Sequence, residues 1–255
     1  MKDNFLMQGE RLDEIGFGEL KLIQKPEEFC YGVDAVILAA FASKAVLQSS
    51  RKFTRAIDLG TGTGIIPIIL SHKTLLKEIV AVEIQHDSFD RACRNVELNM
   101  LKERISVIHE DVSRLEATLP DLKGSFDLVT ANPPYMAGGG GMINENSAKR
   151  IARHETTADL QMFIKISAAL LREKGELFMV HRPSRLVDIC EACRKYKVEP
   201  KELRFVSPNK SAKPNILLIR CVKSGNPELK MLDPLYIYDE TRQDYTDELM
   251  KIYER

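Results

Sequence analysis

The sequence contains no tryptophan, and its five cysteines, Cys30, Cys93, Cys190, Cys193 and Cys221, are odd in number and scattered over 255 residues. That spacing excludes a disulfide framework and fits a reducing compartment. No run approaches the roughly 18 apolar residues of a membrane span, and the opening Met-Lys-Asp-Asn-Phe-Leu-Met-Gln-Gly-Glu lacks the apolar stretch of a secretion signal. A cytoplasmic protein with no membrane partner is therefore expected. Net charge is also missing: 37 basic side chains face 37 acidic ones, so the whole-molecule field gives no reason to expect a polyanion. What remains is an ordinary globular composition, 44% hydrophobic and 29% charged, which excludes a disordered or low-complexity chain.

Charge is nevertheless uneven. Between His181 and Gly225 stand eleven Lys/Arg against four acids, an excess of seven, which reads either as a solvated basic face or as a surface for phosphates. From Arg55 to Val180, short β-branched runs alternate with helical patterns, the signature of βαβ units and a parallel sheet with helices on both faces. Strands are expected at Arg55–Leu59, Glu78–Ile84, Ile105–His109, Phe126–Ala131 and Glu176–Val180, with a late strand at Ile216–Val222. Helices are expected at Ile65–His72, Asp87–Met100, Asp159–Arg172 and Ser184–Tyr196. Before this region lie a strand-like Glu19–Gln24 and an apolar helix over Val33–Leu47; after it comes an acidic, tyrosine-bearing tail with a short helix at Thr246–Tyr253. The expected organisation is an amino-terminal extension over residues 1–54 packed on a core domain over 55–225, followed by a tail over 226–255.

The segment Asp58-Leu-Gly60-Thr-Gly62-Thr-Gly64 leaves a buried strand and opens a helix, the context in which a glycine loop is informative. Alone it fits a dinucleotide pyrophosphate. Asp58, however, would repel a pyrophosphate and suits the ammonium of an amino-acid ligand. Glu83 ends the next strand, where one carboxylate can accept both hydroxyls of a ribose. Asp111 follows the third strand, placed for the exocyclic amine of an adenine. Three acids at successive strand ends line the carboxyl edge of the sheet, where doubly wound folds bind ligands, and together they describe S-adenosylmethionine.

After the fourth strand stands Asn132-Pro133-Pro134-Tyr135. A planar exocyclic amine is a poor nucleophile because its lone pair is delocalised into the ring. Two acceptors on its two N–H bonds, the Asn132 side-chain oxygen and the Pro133 carbonyl, favour a pyramidal nitrogen, and proline keeps the turn rigid. Tyr135 offers a ring on which a flat substrate can stack. The motif resembles those of amino-methyltransferases acting on adenine N6 of nucleic acids, on guanine N2 of ribosomal RNA or on the glutamine amide of release factors, and so names the nucleophile type and not the substrate.

The glycine loop and three acids resemble the class I S-adenosylmethionine-dependent methyltransferases, over roughly Arg55 to Val222. With Phe29-Cys-Tyr-Gly-Val-Asp34, Arg150-Ile-Ala-Arg-His154-Glu155, Leu235-Tyr-Ile-Tyr-Asp-Glu240 and Tyr245-Thr-Asp-Glu-Leu, the chain is similar over nearly its whole length to the bacterial tRNA1(Val) adenine-N6-methyltransferase family. This resemblance implies a doubly wound, mostly parallel seven-stranded α/β sheet and a monomeric enzyme with S-adenosylmethionine as cofactor. Its substrate would be the adenine just 3′ of the anticodon in a valine tRNA. The implied cofactor contacts are Asp58, Gly60, Gly62, Gly64, Glu83, Ile84, Asp111, Val112 and Asn132, and the implied catalytic residues are Asn132, Pro133 and Tyr135.

Arg153 and His154 near the Gly138–Gly141 run, and Lys210 and Lys213 beside Asn209 and Pro214, are candidates for contacting the RNA. The four glycines themselves are a candidate lid. Cys190-Glu-Ala-Cys193 has metal-ligand spacing but lies inside a helical pattern with no second Cys-x-x-Cys or paired histidine, so a packed helix face is expected there and no metal.

Overall fold

The computed structural model describes residues 5–28, 30–133, 160–241 and 244–254. Strands β1 (Arg11–Glu14) and β2 (Lys21–Gln24) form an antiparallel pair ahead of helix α1 (Val33–Gln48). The alternating region then runs β3 (Arg55–Leu59), α2 (Ile65–Lys73), β4 (Glu78–Glu83), α3 (His86–Leu98), β5 (Ile105–His109), a 3₁₀ turn at Val112–Arg114 with α4 (Leu115–Thr118), and β6 (Phe126–Ala131). It continues with α5 (Leu160–Leu170), β7 (Leu171–His181), α6 (Leu186–Lys195), β8 (Val198–Ser207) and β9 (Ile216–Lys223). Two-residue strands β10 (Lys230–Met231) and β11 (Leu235–Tyr236) and helix α7 (Asp247–Ile252) complete the chain.

The main sheet has the order β8-β9-β7-β6-β3-β4-β5, seven strands, with β10 and β11 each added alongside β8. Every pairing is parallel except those of β9, which runs antiparallel to both β7 and β8. Because side chains alternate along a strand, the sheet feeds two cores. Ala56, Ile79, Leu128 and Phe178 face α1 and α2, whereas Ile57, Val80, Val129 and Leu177 face α5 and α6. The strand register fixes what stands together at the carboxyl edge: Asp58 lies opposite Thr130 of β6, and Glu83 opposite His109 of β5.

The segments on either side of the alternating region are built into this frame. The β1–β2 pair is held to α3 by Asn95, whose side chain accepts the Ile23 N–H at 2.6 Å and donates to the Thr63 carbonyl at 2.9 Å, and by Asn99, which accepts the Lys21 N–H at 2.9 Å. The tail returns through a ring stack in which Tyr245 lies on Tyr253 and Tyr253 on Phe17, each with centroids 5.8 Å apart. The short strands β1, β10 and β11 were not expected, and two of the seven strands of the main sheet also depart from the expectation. β7 begins five residues early, joining the ladder with β6 through a register shift between Phe126 and Leu128. β8 carries no β-branched run, and its Pro200 sits where the pairing with β9 shifts register, a position that spares the missing donor.

Candidate active site

Four strand ends, in the spatial order β6, β3, β4 and β5, present their carboxyl termini side by side. At β3, Asp58 is 1% exposed. Its Oδ1 accepts the Thr130 hydroxyl at 2.6 Å, while its Oδ2 and the nearby Thr61 Oγ1 are buried and make no hydrogen bond of good geometry. Burial pushes the Asp58 carboxyl up to about 6, against the Thr130 hydrogen bond and the neighbouring Thr61, which pull it down. A buried carboxylate with an unanswered oxygen is costly, and a ligand cation relieves that cost.

Four amides of the glycine loop are already committed. Gly60 and Thr61 N–H both reach the Val82 carbonyl, at 3.0 and 2.9 Å, and Gly64 N–H donates to the Thr61 carbonyl at 3.1 Å. Gly62 N–H donates to Glu83 Oε2 at 2.8 Å. These amides therefore do not form the anion nest that a pyrophosphate requires, and the dinucleotide alternative loses its main support. Gly62 has φ +59, and a Cβ there would meet nothing within 4 Å, so the loop is left-handed beside open space.

Glu83 is buried at the end of β4. Its Oε1 accepts the Gln85 N–H at 2.8 Å. Burial raises its carboxyl above the ordinary value, while the Gln85 and Gly62 amides oppose that rise. Each oxygen retains a lone pair for a ribose hydroxyl. Next to it Ile84 is 39% exposed, an apolar surface beside the carboxylate suited to a flat base. Asp111 caps the 3₁₀ turn after β5, its Oδ1 accepting the Ser113 N–H at 2.8 Å. The cap engages only one of the two carboxylate oxygens, Oδ1. The Val112 side chain is buried in the core, so any contact it makes with a base comes from its backbone N–H, which, as the first in its turn, has no intrahelical acceptor.

Asn132 is half-buried and Pro133 buried, directly after the last residue of β6. Pro134, Tyr135, Gly138–Gly141, Arg153 and His154 lie outside the described residues. Lys210 and Lys213 are exposed on the loop joining β8 to β9. That loop shares the carboxyl edge but stands two to three strand spacings from β6, about 10–15 Å, so the two lysines flank the pocket instead of lining it. The basic stretch is not one surface. Arg182, Arg185, Lys210 and Lys213 fall at the carboxyl edge, whereas Arg194, Lys195, Lys197 and Lys223 fall at the opposite end of β8 and β9. Acids also neutralise much of it: Arg185 pairs with Asp188, Arg194 with Glu199, Arg204 with Glu248, Lys210 with Glu240, and Arg220 with Glu176 and Glu202. Cys190 and Cys193 lie on α6, with Cys193 packed against Cys221 at 3.6 Å between sulfurs; among the described residues no group of three or more His, Cys, Asp or Glu could hold a metal.

Residues 36–189 match the family described as methyltransferase small domain. The chain belongs to that family. Its methyl donor is S-adenosylmethionine, and the unpaired Asp58 and Thr61 oxygens, the open space at Gly62 and the two-oxygen face of Glu83 fit the ammonium and ribose of that molecule. Among curated relatives, the chain is 28% identical over 221 residues to a tRNA1(Val) (adenine(37)-N6)-methyltransferase of Parabacteroides distasonis, covering 87% of each chain. It is 27% identical over 227 residues to the protein of the same name in Porphyromonas gingivalis strain W83, covering 88% of this chain and 86% of that one. A solved structure from Agrobacterium tumefaciens, described as a predicted O-methyltransferase, shares the fold with a TM-score of 0.67 at 21% identity, covering 87% of this chain and 95% of that one.

Three polar residues near the strand ends are not singled out by the sequence. Thr130 and Thr61 were invisible because their importance depends on which strand neighbours β3. His181, at the end of β7, is buried beside the acceptor edge; burial and the nearby Arg185 and Arg182 hold its imidazole down at about 4, and its Nδ1 accepts the Arg182 N–H at 2.8 Å. A histidine closing the apolar run Leu177–Val180 was the signal available.

Proposed function

We propose that this methyltransferase transfers the methyl group of S-adenosylmethionine to the exocyclic N6 amine of an adenine in tRNA, at the anticodon-loop position for which its curated relatives are named. One juxtaposition carries the reading: an asparagine side chain and a rigid prolyl peptide at the end of β6, next to the unpaired carboxylate oxygen at the end of β3. Bound S-adenosylmethionine supplies an electrophilic methyl on a sulfonium. Asp58 and Thr61 would hold the ammonium, Glu83 the ribose hydroxyls, Ile84 one face of the adenine, and Asp111 with the Val112 N–H its polar edge.

Asn132 Oδ1 and the Pro133 carbonyl then accept the two N–H bonds of the target amine and turn its lone pair toward the methyl. The rate arises from alignment and from the two fixed acceptors, since an amine needs no base before it attacks and can lose its proton afterwards. Outside the pocket, Lys210 and Lys213 approach phosphates of the RNA. A loop adenine suits this site because unstacking a single-stranded base costs less than opening a duplex.

The test is incubation with S-adenosylmethionine and tRNA lacking the modification, followed by mass spectrometry of nucleosides. N6-methyladenosine is expected. Methyl label on a release-factor glutamine or on guanine N2, with tRNA adenine unlabelled, would overturn the assignment.

A further inference from the structure

The peptide unit between Ile84 and Gln85 is held at both ends. Its N–H donates to Glu83 Oε1 at 2.8 Å, and its carbonyl, that of Ile84, lies 2.9 Å from His109 Nε2. A carbonyl only accepts, so His109 carries its proton on Nε2 and donates. The imidazole is itself fixed: it stacks on Phe89 with centroids 5.0 Å apart and planes 23° from parallel, and His86 meets it edge-on at 5.6 Å. His109 is also the last residue of β5 in register, opposite Glu83.

We infer that His109 is a positioning residue for the cofactor, setting affinity through a hydrogen-bond relay that runs from Nε2 through the Ile84–Gln85 peptide to the Glu83 carboxylate. Donation to the carbonyl polarises the peptide and strengthens the N–H bond to Glu83 at its other end. If that plane rotates, Glu83 loses a backbone donor and Ile84 changes its presentation together with it. The two side chains assigned to ribose and adenine therefore depend on one histidine that holds the peptide joining them to Gln85. This inference rests on the cofactor assignment proposed above.

Calorimetry with S-adenosylhomocysteine, paired with methyl-transfer kinetics, tests it on three variants. His109→Phe keeps a ring to stack on Phe89 but has no donor, so it and His109→Ala are expected to weaken binding and raise KM for S-adenosylmethionine about five- to tenfold, the effect of one lost hydrogen bond. Turnover at saturating cofactor should stay within twofold. His109→Gln, whose amide can donate, should recover most of the affinity. Wild-type affinity in His109→Phe, or a loss confined to turnover, would overturn the relay. Absence of S-adenosylhomocysteine binding by the wild type would defeat the cofactor assignment itself, a separate failure seen before any variant is compared.

Discussion

Two buried carboxylates in this molecule are treated in opposite ways. Glu10, in the amino-terminal segment, has a side chain 2% exposed and is surrounded by donors: Arg94 through two nitrogens at 2.7 and 2.8 Å, Arg91 at 3.1 Å, and the Met7 N–H at 2.8 Å. Arg94 above all, with Met7 and Arg91, outweighs burial and lowers its carboxyl to about 2. Asp58, at the end of β3, is enclosed more completely, yet it meets only the hydroxyls of Thr130 and Thr61 and no cation, and its carboxyl rises to about 6. The fold can satisfy an interior charge when that charge is structural. Where it does not, the missing partner is expected from the ligand, and the contrast separates the part of the chain that anchors from the part that works.

The sharpest separation comes from Asn132→Ala at the carboxyl edge. Removing one fixed acceptor of the target amine should lower turnover by about 10³, as for comparable transition-state donors and acceptors, while S-adenosylhomocysteine affinity stays within a few-fold. Equal loss of both would place Asn132 with the cofactor and not with the amine. Glu10→Gln should do the reverse. Breaking the buried pair is expected to cost about 3 kcal/mol of stability, the low end because Arg91 keeps Glu28 and Arg94 keeps Asp90, with turnover of the folded enzyme unchanged. The pH dependence has a definite sign. Glu10 has its carboxyl lowered from 4.5 to about 2 in the folded protein, so its stabilisation is complete above 4.5 and disappears as pH falls toward 2. Denaturant melts of wild type and Glu10→Gln should therefore converge across that window, and a gap that persists at pH 2 would remove the ion pair as its cause.

Asp58 predicts a smaller effect, on binding instead of stability. With its carboxyl near 6, the group is neutral at pH 5 and charged at pH 7, so it can answer an ammonium only at the higher pH. Cofactor-product affinity should rise about tenfold from pH 5 to pH 7, and Asp58→Asn should flatten that rise. Calorimetry over the range decides it; a flat wild-type profile would mean that Asp58 has no cation to meet.

Much of this frame was legible because the core strands are bounded apolar runs. β3, β5 and β6 fall on the residues expected and β4 ends one residue short, at Glu83, so the placement of Asp58, Glu83 and Asn132 near strand ends followed from them. β1 and β8 were not legible. β1 offers little alternation and is held through β2 by Asn95 and Asn99 of a helix far away in sequence. β8 carries Pro200 and a row of charges, tolerated because only two-residue strands flank its outer side. Within the site, the sequence could not distinguish a phosphate loop from an amino-acid loop by glycine spacing. The difference lies in where the amides point, and that depends on Val82 and Glu83 of the neighbouring strand. The basic excess after His181 stayed open between two readings for a related reason: a strand has two ends, and residues close in sequence fall at opposite edges of the sheet.

The smallest expected effect tests whether the working edge extends to the RNA. Lys213 is exposed on the β8–β9 loop and makes no ion pair among the described residues, whereas Lys77 is exposed just before β4, at the opposite edge. Filter binding of unmodified tRNA across a salt series should show Lys213→Ala weakening affinity a few-fold and reducing the salt slope by about one, the loss of a single phosphate contact. Lys77→Ala should leave both unchanged, and neither variant should alter S-adenosylhomocysteine affinity. An equal fall in both would mean that RNA is held by charge anywhere on the surface, and the carboxyl edge would then have no claim on the nucleic acid beyond the single amine gripped at Asn132.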